Sequence, residues 1–284
     1  MRGMLKASLT PRRWPKFIAY VLGGCLLAYA LLVLLVRPST QRHWSPDQAQ
    51  MARAEFNYEQ VRIQNIRNAE YRSSGDYEVH WETRSYDLKA LESVWLIVEP
   101  FADWRGPAHT FLSFGFHGGE YLGVSVEIRK QRGESFSPLR GLFRQYELSY
   151  VVADERDLIG LRANHRQHDV YLYKMRATPE QIRVLLRDML TRANQLTSAP
   201  EFYHTLTNTC SSNIVSHINR IAPGRIPFSF STLLPAYADD FSYDLGLIET
   251  ELPRDTYRAA HRINALAEKY ADSAHFSRAI RGLE

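Results

Sequence analysis

Two cysteines occur among the 284 residues, and one of them, Cys210, stands where a thiol becomes reactive. It lies in FYHTLTNTCSSNIVSHINRIAPGR, residues 202–225, where Ile214, Ile218 and Ile221 repeat at helical spacing and Pro223 and Gly224 close the run. This spacing predicts a loop that breaks into a helix at the cysteine. A thiol on the first helical turn faces unpaired N–H groups and the positive end of the helix dipole, both of which favour the thiolate. Cys210 is therefore a candidate nucleophile, while the spacing alone favours the alternative of a small buried apolar side chain, so its company further up the chain must decide.

A thiolate needs a proton partner, and His109, which opens HTFLSFGF, is the candidate. Alternation predicts a strand with Thr110, Leu112, Phe114 and Phe116 on a core face and His109, Phe111, Ser113 and Gly115 on the other, so His109 is expected at a cleft or at the surface. The next strand, YLGVSVEIR, follows across His117-Gly118-Gly119. A three-residue loop pairs Phe116 with Glu120, which sets Ser125 opposite Phe111 and Glu127 opposite His109; a two-residue turn would shift this register. Glu127 is thus expected to orient the imidazole; a pairing with Arg129 or Arg132 is the alternative. His217, two helical turns beyond Cys210, lies about 10 Å along the axis at 1.5 Å per residue and is too distant to be the base. His165 and His168 read as members of a polar loop.

The elements that must position these residues follow from pattern. Ser45-Pro46-Asp47-Gln48 carries a helix-start signature. Strands are expected at 61–67, 77–86, 94–98, 109–116, 121–130, 145–153 and 170–175. Thr178-Pro179-Glu180-Gln181 is a cap, proline and capping-box glutamine, followed by Ile182, Leu185, Leu186, Met189, Leu190, Ala193 and Leu196 at helical spacing. Helices are expected at 254–271 and 276–282. Strands fill the first half and helices the second, which indicates one α+β domain over 37–284, an antiparallel sheet with packed helices.

Residues 17–36, FIAYVLGGCLLAYALLVLLV, run for twenty positions without a charge, long enough to cross a bilayer. Arg2, Lys6, Arg12, Arg13 and Lys16 precede them, which predicts a cytoplasmic tail at 1–16, a signal anchor at 17–36 and export of the remainder. The rival is a lipobox at Leu22-Gly23-Gly24-Cys25, but eleven further apolar residues follow Cys25. With Cys25 in lipid, Cys210 has no disulfide partner. The pI near 9.0 comes from the tail, since 30 of the 35 Lys/Arg lie beyond it against all 31 Asp/Glu. A near-neutral body argues against a nucleic-acid partner. No glycine-rich phosphate loop follows a strand and no histidine pair has ligand spacing, so no nucleotide cofactor and no metal are expected.

Taken together, HTFLSFGF, YLGVSVEIRKQRGE, RQYELSYVVADERDLIGLR and FYHTLTNTCSSNI resemble the Lnb N-terminal periplasmic domain family over most of 37–284. The resemblance implies a permuted papain-like (NlpC-type) fold in which the histidine precedes the cysteine. It also implies a bacterial inner-membrane setting with the bulk of the chain periplasmic, and a thioacyl mechanism of the kind used to N-acylate lipoproteins. Residue by residue, Cys210 matches the nucleophile and His109 the base. The chain departs from the family pattern at Asn208-Thr209-Cys210, where asparagine is expected directly before the cysteine. The reading is a cysteine-dependent acyltransferase or hydrolase acting on lipoproteins or phospholipids, with Tyr237, Phe241 and Tyr243 either lining an acyl groove or serving as core. The alternatives are a cell-wall thiol peptidase or amidase, and an envelope binding module with an idle thiol. Nothing in the sequence speaks to an oligomeric state.

Overall fold

The computed structural model describes residues 14–102, 104, 106–227, 229 and 234–283. Most of the basic tail, including Arg2, Lys6, Arg12 and Arg13, lies outside them. The chain divides into two units, Met1–Pro38 and Ser39–Glu284. In the first, helix α1 spans Trp14–Leu35, a single apolar helix long enough to cross a membrane and with no buried residue. It begins three residues before the expected start because Trp14-Pro15-Lys16 continues the turn, with proline in the first turn where its missing N–H costs nothing.

The second unit is an open, mostly antiparallel sheet with helices on both faces. Its strands are β1 (Arg53–Asn57), β2 (Gln60–Tyr71), β3 (Tyr77–Asp87), β4 (Leu91–Pro100), β5 (Ala108–Phe116), β6 (Glu120–Arg129), β7 (Glu147–Asp154) and β8 (Tyr171–Lys174). They run in the order β1-β2-β7-β6-β5-β4-β8, with β3 on β2. Each pairing is antiparallel except a short parallel contact of β2 with β7 at Arg67 and Ala153. A bulge at Asn65, whose φ of 61° an asparagine tolerates, divides β2 between its partners: β1 lies along the first half and β7 meets the second.

One face of the sheet carries α4 (Pro179–Ser198) and α5 (Cys210–Ile221). Thr178 and Gln181 form the expected capping box, and the seven apolar residues read at helical spacing are the seven buried ones. At about 1.5–3 kcal/mol for each large side chain, this stripe is what fixes α4 to the sheet. The other face is covered by α3 (Glu155–Gly160), a π-turn at Leu161–His165 and the C-terminal helices, which bury Phe111, Val151, Ala153, Leu158 and Ile159 together.

That second cover corrects the reading of β5. Phe111 and Ser113 are fully buried, and only His109 at the strand's entrance keeps partial exposure. The helix expected over 254–271 is two short ones, Tyr257–Ala260 and Asn264–Lys269. Between them the backbone turns to pair with β8, Leu172 N–H donating to His261 O and Ile263 N–H to Val170 O. Short helices at Pro138–Leu142, Glu155–Gly160 and Ala238–Asp244 were too brief to show a period.

Candidate active site

Helix α5 starts at Cys210 because Thr209 caps it. The Thr209 hydroxyl accepts from Ser212 N–H at 3.2 Å, and the Ser212 hydroxyl accepts from Thr209 N–H at 2.8 Å. The residue that departs from the expected asparagine is therefore the N-cap, a position at which threonine is favoured. Asn208 is held through its side chain instead, donating to Phe202 O at 2.9 Å and accepting from Asn213 Nδ2 at 2.8 Å. Cys210 and Ser211 occupy the first two helical positions, and among the described residues no hydrogen bond engages either backbone N–H.

Three-residue closure at His117–Gly119 gives the β5–β6 register read from sequence, Phe116 opposite Glu120 and Phe111 opposite Ser125. Gly118 and Gly119 supply the positive φ angles, 94° and 83°, that the turn requires. The ladder stops at Phe111, two residues short of His109, and this gap is filled by side chains. His109 Nε2 lies 2.7 Å from Ser125 Oγ, and the Ser125 hydroxyl donates to Glu127 Oε1 at 2.9 Å. A carboxylate only accepts, so it turns the serine proton toward itself, and Ser125 Oγ is then the acceptor for a proton on Nε2. That arrangement favours a proton on Nε2 and leaves Nδ1 as the ring nitrogen not engaged by Ser125. Burial would raise the Cys210 thiol, but the hydrogen bond and charge of His109, with the backbone and side chain of Thr110, bring it down to about 7.

Behind this pair lies a buried charge network. Arg162 donates to Glu127 Oε1 at 2.9 Å, to Glu99 Oε2 at 2.6 Å and to Leu158 O at 2.7 Å. Gln48 Nε2 donates to the other oxygen of Glu127 at 3.1 Å, and His168 Nδ1 lies 2.8 Å from Glu99 Oε1. Burial opposes the charge on Glu127, yet the Arg162 guanidinium, then Arg67 and His109, hold the carboxyl far below its usual range. Glu99 is lowered to about 2 against its burial, by Arg162, His168 and Arg166.

A cleft of about 420 Å³ opens over Cys210 and His109, with Phe101, Phe136 and Tyr203 on its apolar side and Glu99, Arg162 and His168 on its polar side. Cys210, His109 and Glu127 all line it, so the three residues singled out in the sequence are brought to one place. Glu127 stands 3.8 Å from His109 Nε2 and reaches it through Ser125. Glu99, Arg162 and Gln48 carried no local signal, and His168, assigned to a polar loop, is in the cleft. His217 is elsewhere, buried between Tyr150 Oη at 2.7 Å and Asp188 Oδ2 at 2.6 Å. Tyr243 stacks on Tyr257 with ring centroids 4.4 Å apart, and with Phe241 it packs on the main core; neither lines the cleft, nor does Tyr237. Among the described residues no group of three or more His, Cys, Asp or Glu is arranged to hold a metal ion.

The family model for the Lnb N-terminal periplasmic domain matches residues 77–236, more than half of the chain and the segment that holds β3 to α5 with the whole Cys210–His109–Ser125–Glu127 arrangement. No curated protein and no solved structure matches the sequence.

Proposed function

Because the chain belongs to the Lnb N-terminal periplasmic domain family, we propose that it is a membrane-anchored thiol enzyme of the bacterial periplasm that works through a thioacyl intermediate. The observation that carries the reading is the placement of Cys210, buried at the N-terminus of α5 and lining one cleft with His109, whose hydrogen bond and charge pull the thiol down. A buried structural cysteine would be raised. In this reading α1 is the anchor, in the inner membrane, and the second unit lies outside the cytoplasm. A cysteine at the start of a helix packed on an antiparallel sheet, with a histidine at the entrance of a strand, supports the reading as a permuted papain-like enzyme, since such sites are defined by geometry and not by chain order.

In the proposed reaction His109 Nδ1 takes the Cys210 proton and the thiolate adds to an ester or amide carbonyl. The oxyanion accepts from the N–H groups of Cys210 and Ser211, which the cap leaves available beside the helix dipole. Collapse breaks the bond to the leaving group, which departs with the proton from His109. An amine or water then attacks the thioester, His109 takes its proton, and the thiol is regenerated. The substrate class we favour is an acylated lipid or lipoprotein. A peptide amide is the second reading, favoured by the charged wall of Glu99, Arg162 and His168, which an acyl chain alone does not use.

Incubating the full-length protein with bacterial membrane lipids and then analysing it by intact mass tests the proposal. A hydroxylamine-labile acyl adduct on Cys210 that is absent from Cys210→Ala is the expected result. A cell-wall peptide adduct in its place selects the second reading, and no adduct from either source overturns both.

A further inference from the structure

Four exposed apolar side chains, on two segments that meet beside the cleft, have no place in the chemistry above. Phe136, Leu139 and Phe143 lie on and around the short helix Pro138–Leu142, and Leu206 lies on the turn before α5; all four are 40–65% exposed. The two segments are tied together where Thr205 Oγ1 donates to Pro138 O at 2.6 Å. Phe136 joins the cluster to the cleft, with its ring 6.3 Å from Tyr203 and 6.1 Å from Phe101, both of which line it. Arg140 is exposed beside Leu139, and the Arg144 guanidinium lies 5.3 Å from the Phe202 ring.

The same end of the unit receives the chain from its N-terminal segment. Ser39 N–H donates to Glu147 Oε1 at 3.1 Å, and Arg42 pairs with the same oxygen at 2.7 Å. Glu147 bridges to Phe202, next to Tyr203 and within four residues of the clustered apolar side chain at 206. Three residues separate Ser39 from Leu35, the last residue of α1. At ~3.5 Å per residue so short a connection spans no more than about 14 Å.

We infer that Phe136, Leu139, Phe143 and Leu206 form a membrane-docking rim that seats the cleft mouth on the lipid surface. Aromatic and aliphatic side chains flanked by arginines match the boundary between headgroups and acyl chains, the arginines meeting anionic headgroups while the apolar tips enter. A cleft so placed receives lipid-borne substrate without its leaving the bilayer. The inference rests on α1 as an anchor and not on the reactivity of Cys210.

The full-length chain, with Cys25→Ser and Cys210→Ser to remove the native thiols, is reconstituted in vesicles of phosphatidylcholine with and without phosphatidylglycerol. Spin labels at Leu139→Cys and Leu206→Cys should collide with oxygen and be shielded from a water-soluble nickel complex, more so with phosphatidylglycerol. A label at Tyr58→Cys, exposed on the turn between β1 and β2, should show the opposite. Labels at 139 and 206 as aqueous as the one at 58 overturn the rim, as does shielding that arises only when a protein partner is added. A second arm keeps Cys210 and carries Cys25→Ser. The double variant Leu139→Asp/Leu206→Asp should lose labelling by a membrane-borne alkyl maleimide several-fold while labelling by a water-soluble maleimide is unchanged. Equal loss with both reagents would indicate a damaged fold, and the depth measurement then decides.

Discussion

His109 Nε2 and Glu127 Oε1 lie 3.8 Å apart, and the Ser125 hydroxyl fills the gap with contacts of 2.7 and 2.9 Å. Glu127 therefore reaches the imidazole through Ser125, the group in direct contact with Nε2. A hydrogen bond to a group that becomes charged contributes about 1.5 kcal/mol. Ser125→Ala should accordingly raise the pH of half-labelling of Cys210 by about one unit, and Ser125→Thr should restore it. Glu127→Gln offers an amide that can donate, so the serine proton can reverse; it should fold and label more slowly at neutral pH. If Ser125→Ala labels like the parent while Glu127→Gln does not, the carboxylate acts directly and the relay is wrong.

The pH of reaction is itself a test. With the thiol at about 7 and a free cysteine at about 8.5, half-labelling by a maleimide should fall close to neutrality. In His109→Ala the largest favourable contribution is gone and burial, the largest influence of all, is opposed only by Thr110, so the midpoint should move above the free value. The depressed thiol also makes stability rise with pH between the two values, because the unfolded chain binds more protons there. A midpoint near 8.5 in the parent protein counts against an activated thiol.

The register that brings Ser125 and Glu127 toward His109 was legible because three residues, two of them glycines at positive φ, close the β5–β6 turn and leave no freedom to slip. The start of α5 was legible from its spacing, although the cap was not credited to Thr209. Arg162 and Glu99 were not legible. They lie 63 positions apart and meet only because β4 and the turn after α3 flank the same end of the sheet, a relation with no local trace. The burial of Phe111 and Ser113 was missed for a similar reason: their cover comes from residues 155–165 and the C-terminal segment. Alternation reports which side chains share a face and is silent on what covers it.

Cys210 and His109 should behave as one unit. Cys210→Ala should abolish turnover, His109→Ala should cost nearly as much, and the double variant should be no worse than Cys210→Ala alone. A double variant clearly worse than either single one would show independent roles.

His217 supplies a contrast of stability without chemistry. It bonds Tyr150, whose hydroxyl donates to Asn213 Oδ1 at 3.1 Å, and Asn213 Nδ2 donates to Thr209 O at 2.8 Å behind the cap. Burial pushes its imidazole below the ordinary value even though Asp188 pulls the other way. Between the unfolded value near 6.5 and the lower folded one the unfolded chain binds more protons, so acidification through that window destabilises the fold. His217→Gln should remove this slope and cost about 1–3 kcal/mol by denaturation. The pH midpoint of Cys210 labelling should stay where it is, and turnover within a few fold; a shifted midpoint would make His217 part of the site.

Arg162 is buried between two buried or nearly buried carboxylates and contacts both, Glu99 at 2.6 Å and Glu127 at 2.9 Å. Arg162→Met keeps much of the stem and removes the charge, leaving both acids without their main partner; breaking a buried pair from one side costs about 3–5 kcal/mol. In the parent protein both acids are depressed, so their contribution is present above the unfolded value near 4.3 and is lost as pH falls through the folded ones. Without the guanidinium, burial raises them and protonation relieves the variant. The stability gap between parent and Arg162→Met should therefore narrow from neutral to mildly acid pH, and Glu99→Gln/Glu127→Gln in the Arg162→Met background should recover part of the loss. A gap that does not change with pH would mean that the cost is one of packing, and that Glu127 is held for His109 by Gln48 and Ser125 alone.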